Sequence, residues 1–372
     1  MVERRDVLRG TAAFAVSSIV GERESAAKDD DALDLALERF AGTGPEYRGG
    51  LANHGPMAAE ALVALGRSDA VARWVEGYAS RLGPPLSAGD PIPGAGWEAV
   101  LGRRERVGDW ASFFRRELAE APWPQVLRLW VPRLAPGFVA VATHGAIRTG
   151  HAARALGVRE TPPRLHELAE GLAYWAANFT RLPESDTAAG TARPSEAIAT
   201  LALLPASERR SGGFITARLA GLHSFAPFKE VAGQVALNGD PSSFFSNLTE
   251  TFARVYLENA TPGKVITFVH AVTGPSAARL LLPYADAAGR LGLMRYAWQA
   301  AAAMYVAMGD RPREPLREAD PLDAAALADR AVVNGDEHAI KLTEACLRES
   351  ALHPRPVYRL AAQDALSRLG RG

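Results

Sequence analysis

Histidine and lysine carry most of the chemistry open to this chain. Cys346 is its one cysteine, so neither an internal disulfide nor a thiolate metal cluster can form. A bound metal must then take imidazole or carboxylate ligands, and eight histidines make the search short. Four of them share a local pattern. His54-Gly55-Pro56-Met57, His144-Gly145-Ala146-Ile147, His270-Ala271-Val272 and His338-Ala339-Ile340 each set a histidine before a small residue. A small neighbour lets backbones approach a ligand closely. His54 sits just ahead of a helix opened by Pro56, where the helix N-terminus disfavours imidazolium and leaves a lone pair for a metal.

His338 and Lys341 are three apart on a predicted helix with Asp336 as N-cap and Glu337 in its first turn. Ile340, Leu342 and Ala345 beside them read as core. Those neighbours suit a half-buried amine that loses its charge, because desolvation lowers a lysine pKa. The plainer alternative is a lysine that snorkels to the surface. His144 and His151 are seven apart within a predicted helical run from Phe138 to Leu156, and Arg148 falls between them on the same face. Spacing leaves His144 and His151 equal as ligands. Arg148 and His151 are candidate catalytic groups beside a metal, or Arg148 instead pairs with a neighbouring carboxylate. His270 lies in an apolar run, where a single histidine is usually a satisfied core residue. His166 belongs to a solvated face with Glu167 and Glu170, and His353 to a turn. His223 leads an aromatic loop-like segment through Phe225 and Phe228, a candidate pocket lining along with Trp97. No histidine pair has the specificity of His-Glu-x-x-His, and spacing alone cannot bring four distant histidines together.

The elements that must position these groups are helical. Ala, Leu, Arg and Glu dominate after about residue 30. Apolar residues recur at three- and four-residue spacing, as in Leu165, Leu168, Leu172 and Trp175. Pro56, Pro163, Pro194, Pro262 and Pro275 stand where a first-turn proline would open a helix, and Gly66, Gly157 and Gly309 where one would stop. Sustained period-two alternation is absent, and β-branched Val265 to Val269 reads as helical after Thr261-Pro262. The expectation is an all-α, single multi-helix domain of short and medium packed helices over residues 30–372. Residues 1–29 form a leader: Arg4-Arg5-Asp6-Val7-Leu8-Arg9 followed by an uncharged run is similar to a twin-arginine export signal. Export and a cytoplasmic location both stay open.

Lys+Arg and Asp+Glu each number 42, so zero formal charge argues against nucleic acid and anionic membrane surfaces. The leader's apolar run is too short to span a bilayer. No other stretch reads as a membrane span, and no flavin or nicotinamide motif occurs.

Taken together, these motifs resemble the questin oxidase-like family of helical oxidoreductases. The resemblance rests on Asn53-His54-Gly55-Pro56 before Ala61-Leu62 and Leu65-Gly66, on His144 through Arg148, on His270, and on His338-Ala339-Ile340-Lys341, spread over roughly residues 30–370. It implies O2-dependent chemistry on an aromatic, anthraquinone-like polyketide, opening a ring by dioxygenation or Baeyer–Villiger-type insertion. It also implies non-heme Fe(II) held by His54, His144, His270 and His338, with Lys341 as a carboxylated residue. This chain carries Arg148 where fungal relatives often have histidine. Two rivals make different predictions. A metal-dependent hydrolase with a carboxylated lysine consumes no O2, and a non-catalytic helical scaffold leaves the histidines scattered.

Overall fold

The chain was analysed as a computed structural model that describes residues 29–186, 188–311 and 320–370. Residues 1–28, with the twin arginines and the small-residue Ser25-Ala26-Ala27 stretch, lie outside the described residues. The fold is all-α, with a two-stranded hairpin as its β structure among the described residues. Its helices in chain order are α1 (29–41), α2 (Gly55–Ala64), α3 (Val71–Ala79), α4 (Val107–Glu120), α5 (Trp123–Leu134), α6 (His144–Val158) and α7 (Pro162–Ala177). There follow α8 (Pro194–Thr200), α9 (Ile215–Leu219), α10 (Pro241–Asn259), α11 (Val265–Leu281), α12 (Ala287–Met308), α13 (Ala324–Asn334), α14 (Glu337–Leu352) and α15 (Pro356–Arg368).

Four of these helices matter most. α2 packs on α6, α6 on α11, α11 on α14, and α14 back on α2, closing a ring. α11 is its apolar member. Contrary to the sequence expectation, Val265–Tyr284 is long and apolar enough to cross a membrane, but 78% of its most apolar window is buried inside the protein. Its apolarity matches the helices α6, α10, α12 and α14 that surround it. Pro275 lies inside α11 rather than opening a helix. Proline cannot donate to the carbonyl four residues back, and the helix runs on because its middle is held on all sides by packing.

Local signals set the other starts. Asp336 caps α14 through its side chain, accepting from the backbone N–H groups of His338 and Ala339 at 2.9 and 3.0 Å. Pro56, Pro163 and Pro194 fall in the first turns of α2, α7 and α8, as expected.

Two local features depart from the sequence expectation. Glu46–Tyr47 pairs antiparallel with Leu51–Ala52, a hairpin too short to show alternation. The predicted helical run from Phe138 is broken: Val141, Ala142 and Thr143 hold φ values of 47, 54 and 72°. Side chains in that left-handed region cost about 1–2 kcal/mol per residue. Pro136-Gly137 stands just ahead of the segment, but no glycine occupies the left-handed positions themselves. Ala142 and Thr143 are buried within it while Val141 faces a cavity, and it delivers His144 as the first residue of α6.

Candidate metal centre

Each helix of the ring contributes one histidine near its N-terminal end. His54 is the N-cap of α2, His144 the first residue of α6, and His338 the second of α14. His270 lies in the second turn of α11. All four are buried, and one ring nitrogen of each lies within 4.8 Å of the others. His144 sits at the middle of the group. Its Nε2 is 2.7 Å from His54 Nε2 and 3.0 Å from His270 Nε2. Ring centroids separate His54 from His338 by 4.6 Å and His270 from His338 by 5.4 Å. The close approach of α6 to α11 depends on Gly274: a β-carbon there would lie 2.8 Å from Thr143 Oγ1.

Hydrogen bonds fix which nitrogens face inward. His144 Nδ1 meets Val141 O at 2.5 Å, and His270 Nδ1 meets Ile266 O at 2.7 Å. A carbonyl only accepts, so both Nδ1 atoms carry the proton and both Nε2 atoms present lone pairs. Two lone pairs 3.0 Å apart repel unless a cation lies between them. A proton is a poor candidate. Burial, followed by the field of Lys341, pushes His270 down to about 3. Burial also holds His54, His144 and His338 well below the ordinary imidazole range, with neighbouring imidazoles and Lys341 adding to it. A divalent metal satisfies the geometry instead, since adjacent ligands on a cation with metal–nitrogen distances of about 2.1 Å lie about 3 Å apart. Backbone carbonyls that hold the outer nitrogens are the usual supports of metal-bound histidine.

Lys341 lies on α14 one turn after His338 and is 1% exposed, and its Nζ has no hydrogen-bond partner among the described residues. Burial lowers its pKa to about 7, against the opposing pull of Glu337 and Asp336. The desolvated amine expected from the sequence is therefore present.

The histidines floor a cavity of about 570 Å³ whose walls include Tyr47, Val141, Asn178, Phe214, Ile266 and Glu337. Tyr47 donates to Glu337 at 3.2 Å; burial and then the neighbouring Glu337 charge raise the phenol to about 12. Arg81 approaches the other oxygen of Glu337 at 3.7 Å.

Several predicted site residues lie elsewhere. Arg148 pairs with Glu167 through contacts of 2.6 and 2.8 Å and borders a separate cavity beside His166 and Glu170. His151 binds Glu60 at 2.6 Å, away from the imidazole cluster. Neither faces the metal centre. The N-terminal kink before His144 sends the first turn of α6 inward, while buried carboxylates on α7 and α2 claim the later residues. Trp97 meets Trp130 edge-on, with ring centroids 4.8 Å apart, and the Arg133 guanidinium lies over both rings. Phe228 is core, Phe225 packs against that core, and His223 is exposed. These four do not line the cavity: Trp97 packs on α5, and the segment holding His223, Phe225 and Phe228 packs against α12. The sequence reading missed Tyr47, Glu337, Phe214 and Arg218 as wall residues. Glu337 adjoins His338 and Phe214 follows Gly212-Gly213, and these are the only local hints.

Fold and site together define an all-α protein built around a buried four-histidine centre of metal-binding type. The family model for questin oxidase-like proteins matches residues 51–346, and the chain belongs to that family. The match contains all four histidines and Lys341. Family membership supports an oxidase acting on a small polyketide molecule. No curated protein matches the sequence.

Proposed function

We propose that the protein is a non-heme iron oxidase or dioxygenase that opens a ring of an aromatic, anthraquinone-like polyketide. The observation that carries this reading is the pair of unprotonated Nε2 atoms of His144 and His270, both buried and held 3.0 Å apart. His54, His144, His270 and His338 would hold the ion, and imidazole ligands suit iron. Ferrous iron, when bound, supplies the electrons that let O2 react with a closed-shell aromatic ring.

The protein's own groups do the rest. The carbonyls of Val141 and Ile266 orient two imidazoles, and burial excludes water. Val141, Phe214 and Ile266 offer a flat apolar wall to a polycyclic ring, and a volume of about 570 Å³ falls within the range of small-molecule sites.

The electrostatics favour a carboxylated Lys341. The N-termini of α2, α6 and α14 point their positive ends at the site, and a dication would add to them. Addition of CO2 to the neutral amine with loss of one proton to solvent forms an N–C bond and turns a buried, unpaired amine into a carbamate anion that could ligate the metal. The scaffold rival predicted scattered histidines, and the structure gathers them. The hydrolase rival is separated by oxygen consumption.

The test is to load metal-free protein with Fe(II) under argon, measure bound iron, and follow O2 uptake with 1,8-dihydroxyanthraquinone as probe. One iron per chain, lost in His270→Ala and His338→Ala, together with O2 uptake, supports the reading. Iron content indifferent to both substitutions would sink the metal centre. Bound metal with no O2 uptake across a panel of aromatic polyketides would sink the oxidase chemistry.

A further inference from the structure

The mouth of the cavity carries two features that the metal centre does not use. Phe214 is 50% exposed, a large apolar side chain left half in water at the entrance. Its ring lies over the hairpin backbone: a β-carbon placed on Gly50 would sit 3.7 Å from it. One turn along α9, Arg218 also lines the cavity. Its Nε donates to Gly212 O at 3.2 Å and one terminal nitrogen to Gly263 O at 2.8 Å. Those bonds clamp the guanidinium between the turn before α9 and the turn before α11.

The other charges around the cavity are compensated. Arg104 gives one nitrogen to both oxygens of Glu46, at 2.9 Å each. Asp336 caps α14, and Glu337 is held by Tyr47 and Arg81. Arg218 has carbonyl partners but no carboxylate within ion-pair distance among the described residues. Carbonyls leave its full positive charge in place. A guanidinium has five N–H donors in a fork suited to a carboxylate, and two of the five are in use.

We propose that Phe214 and Arg218 form a selectivity rim, which stacks a planar aromatic substrate and pairs with an anionic oxygen group on it, a carboxylate or an ionised phenol. The substrate class of the centre is thereby narrowed from aromatic polyketides to those carrying an acidic group at the end remote from the metal. This rests on the oxidase reading for its chemistry but not for its test, which measures binding alone.

The test uses the metal-loaded full chain under argon and two probes of the same shape, anthraquinone-2-carboxylate and its neutral carboxamide. Dissociation constants are read by titration at low and moderate salt. The expected result is a preference for the carboxylate of about tenfold or more, the usual worth of a charge-assisted hydrogen bond, which shrinks as salt rises. Arg218→Gln removes the preference by weakening the carboxylate alone, and Arg218→Lys keeps part of it. Phe214→Ala weakens both probes alike. Because Arg218 also ties two turns together, thermal melts and iron content are measured for every variant, and Arg218→Lys stands in if Arg218→Gln unfolds. Equal affinity for the two probes, or an Arg218→Lys preference equal to wild type with salt-independent binding, would overturn the rim. The predicted preference without any O2 uptake would leave the rim standing and remove the oxidase reading. O2 uptake with no preference would do the reverse.

Discussion

Replacing Lys341 with methionine should make the metal-free protein more stable, not less. The lysine is fully buried, and its pKa falls from 10.5 to about 7. At about 1.4 kcal/mol for each tenfold change in a proton equilibrium, the buried amine opposes folding by about 4–5 kcal/mol near pH 7. The sign follows from proton counts. Between about pH 7 and 10.5 the unfolded chain keeps this proton and the folded chain does not, so stability rises with pH across that window. Below about pH 7 the penalty is full. Methionine fills a similar volume, has no charge to desolvate and leaves no unpaired donor. Lys341→Met should therefore raise the Tm of the metal-free protein by about 6 °C at pH 7, given about 2 cal/mol/K of unfolding entropy per residue. The assay is calorimetry or dichroism of chelator-treated protein in CO2-free buffer at pH 7, 8 and 9. The advantage of the variant should shrink by about 1.4 kcal/mol per pH unit. A variant no more stable than wild type at pH 7, or a gap that stays constant to pH 9, would refute the picture of an unpartnered, desolvated lysine. The same variant should lose iron affinity and give no carbamate signal with carbon-13 bicarbonate.

Three further outcomes follow from the same geometry. Arg148→Met alone should destabilise the fold by about 3–5 kcal/mol, since it strands buried Glu167, whereas Arg148→Met with Glu167→Leu should come within about 1 kcal/mol of wild type; denaturant titration reads both. Neither change should alter the iron content, because the pair faces a different cavity. Gly274→Ala puts a carbon 2.8 Å from Thr143 Oγ1, so it should cost about 1–3 kcal/mol by overpacking and lower metal affinity by spreading His144 from His270; iron titration and melts check this together. Arg154→Met removes the cation that links Glu60 of α2 to Glu344 of α14. Burial pushes both carboxyls up, and Arg154 is what chiefly holds them below the ordinary range. Without it the stability at neutral pH should fall by about 3–5 kcal/mol and the acid side of the stability profile should flatten.

The helical class was legible because it depends on local residue choice: first-turn prolines, the Asp336 cap and three-four apolar spacing act within a turn or two of themselves. The four histidines were legible for a related reason. Three of the four stand at or beside helix starts, and helix starts leave traces in sequence. Convergence was different. It requires α2, α6, α11 and α14 to close a ring, and closure is set by contacts between residues far apart in sequence, such as Thr143 against Gly274. The helical face shared by His144, Arg148 and His151 misled for the same reason. All three lie on α6, but only its first turn meets the ring of histidines; farther along the axis Arg148 reaches Glu167 of α7 and His151 reaches Glu60 of α2.

The strained turn also explains why the metal site is where it is. A regular helix can also hold an imidazole by a backbone carbonyl, as Ile266 O holds His270 within α11, so the left-handed turn changes where the His144 ring sits rather than whether it finds an acceptor. In the left-handed turn Val141 O accepts both the His144 backbone N–H, at 3.3 Å, and the His144 Nδ1 proton, which leaves Nε2 as the bare nitrogen at the middle of the cluster. Backbone strain of this kind persists where the surroundings over-determine it. Here they do: Ala142 and Thr143 are buried, α6 is pinned beneath α7 and α11, and the product is a single imidazole within 3.0 Å of two others. A site that only needed a core histidine at this position could form on an unstrained helix. What the strain accompanies is a placement: His144 opens α6 with its Nε2 between the Nε2 atoms of His54 and His270.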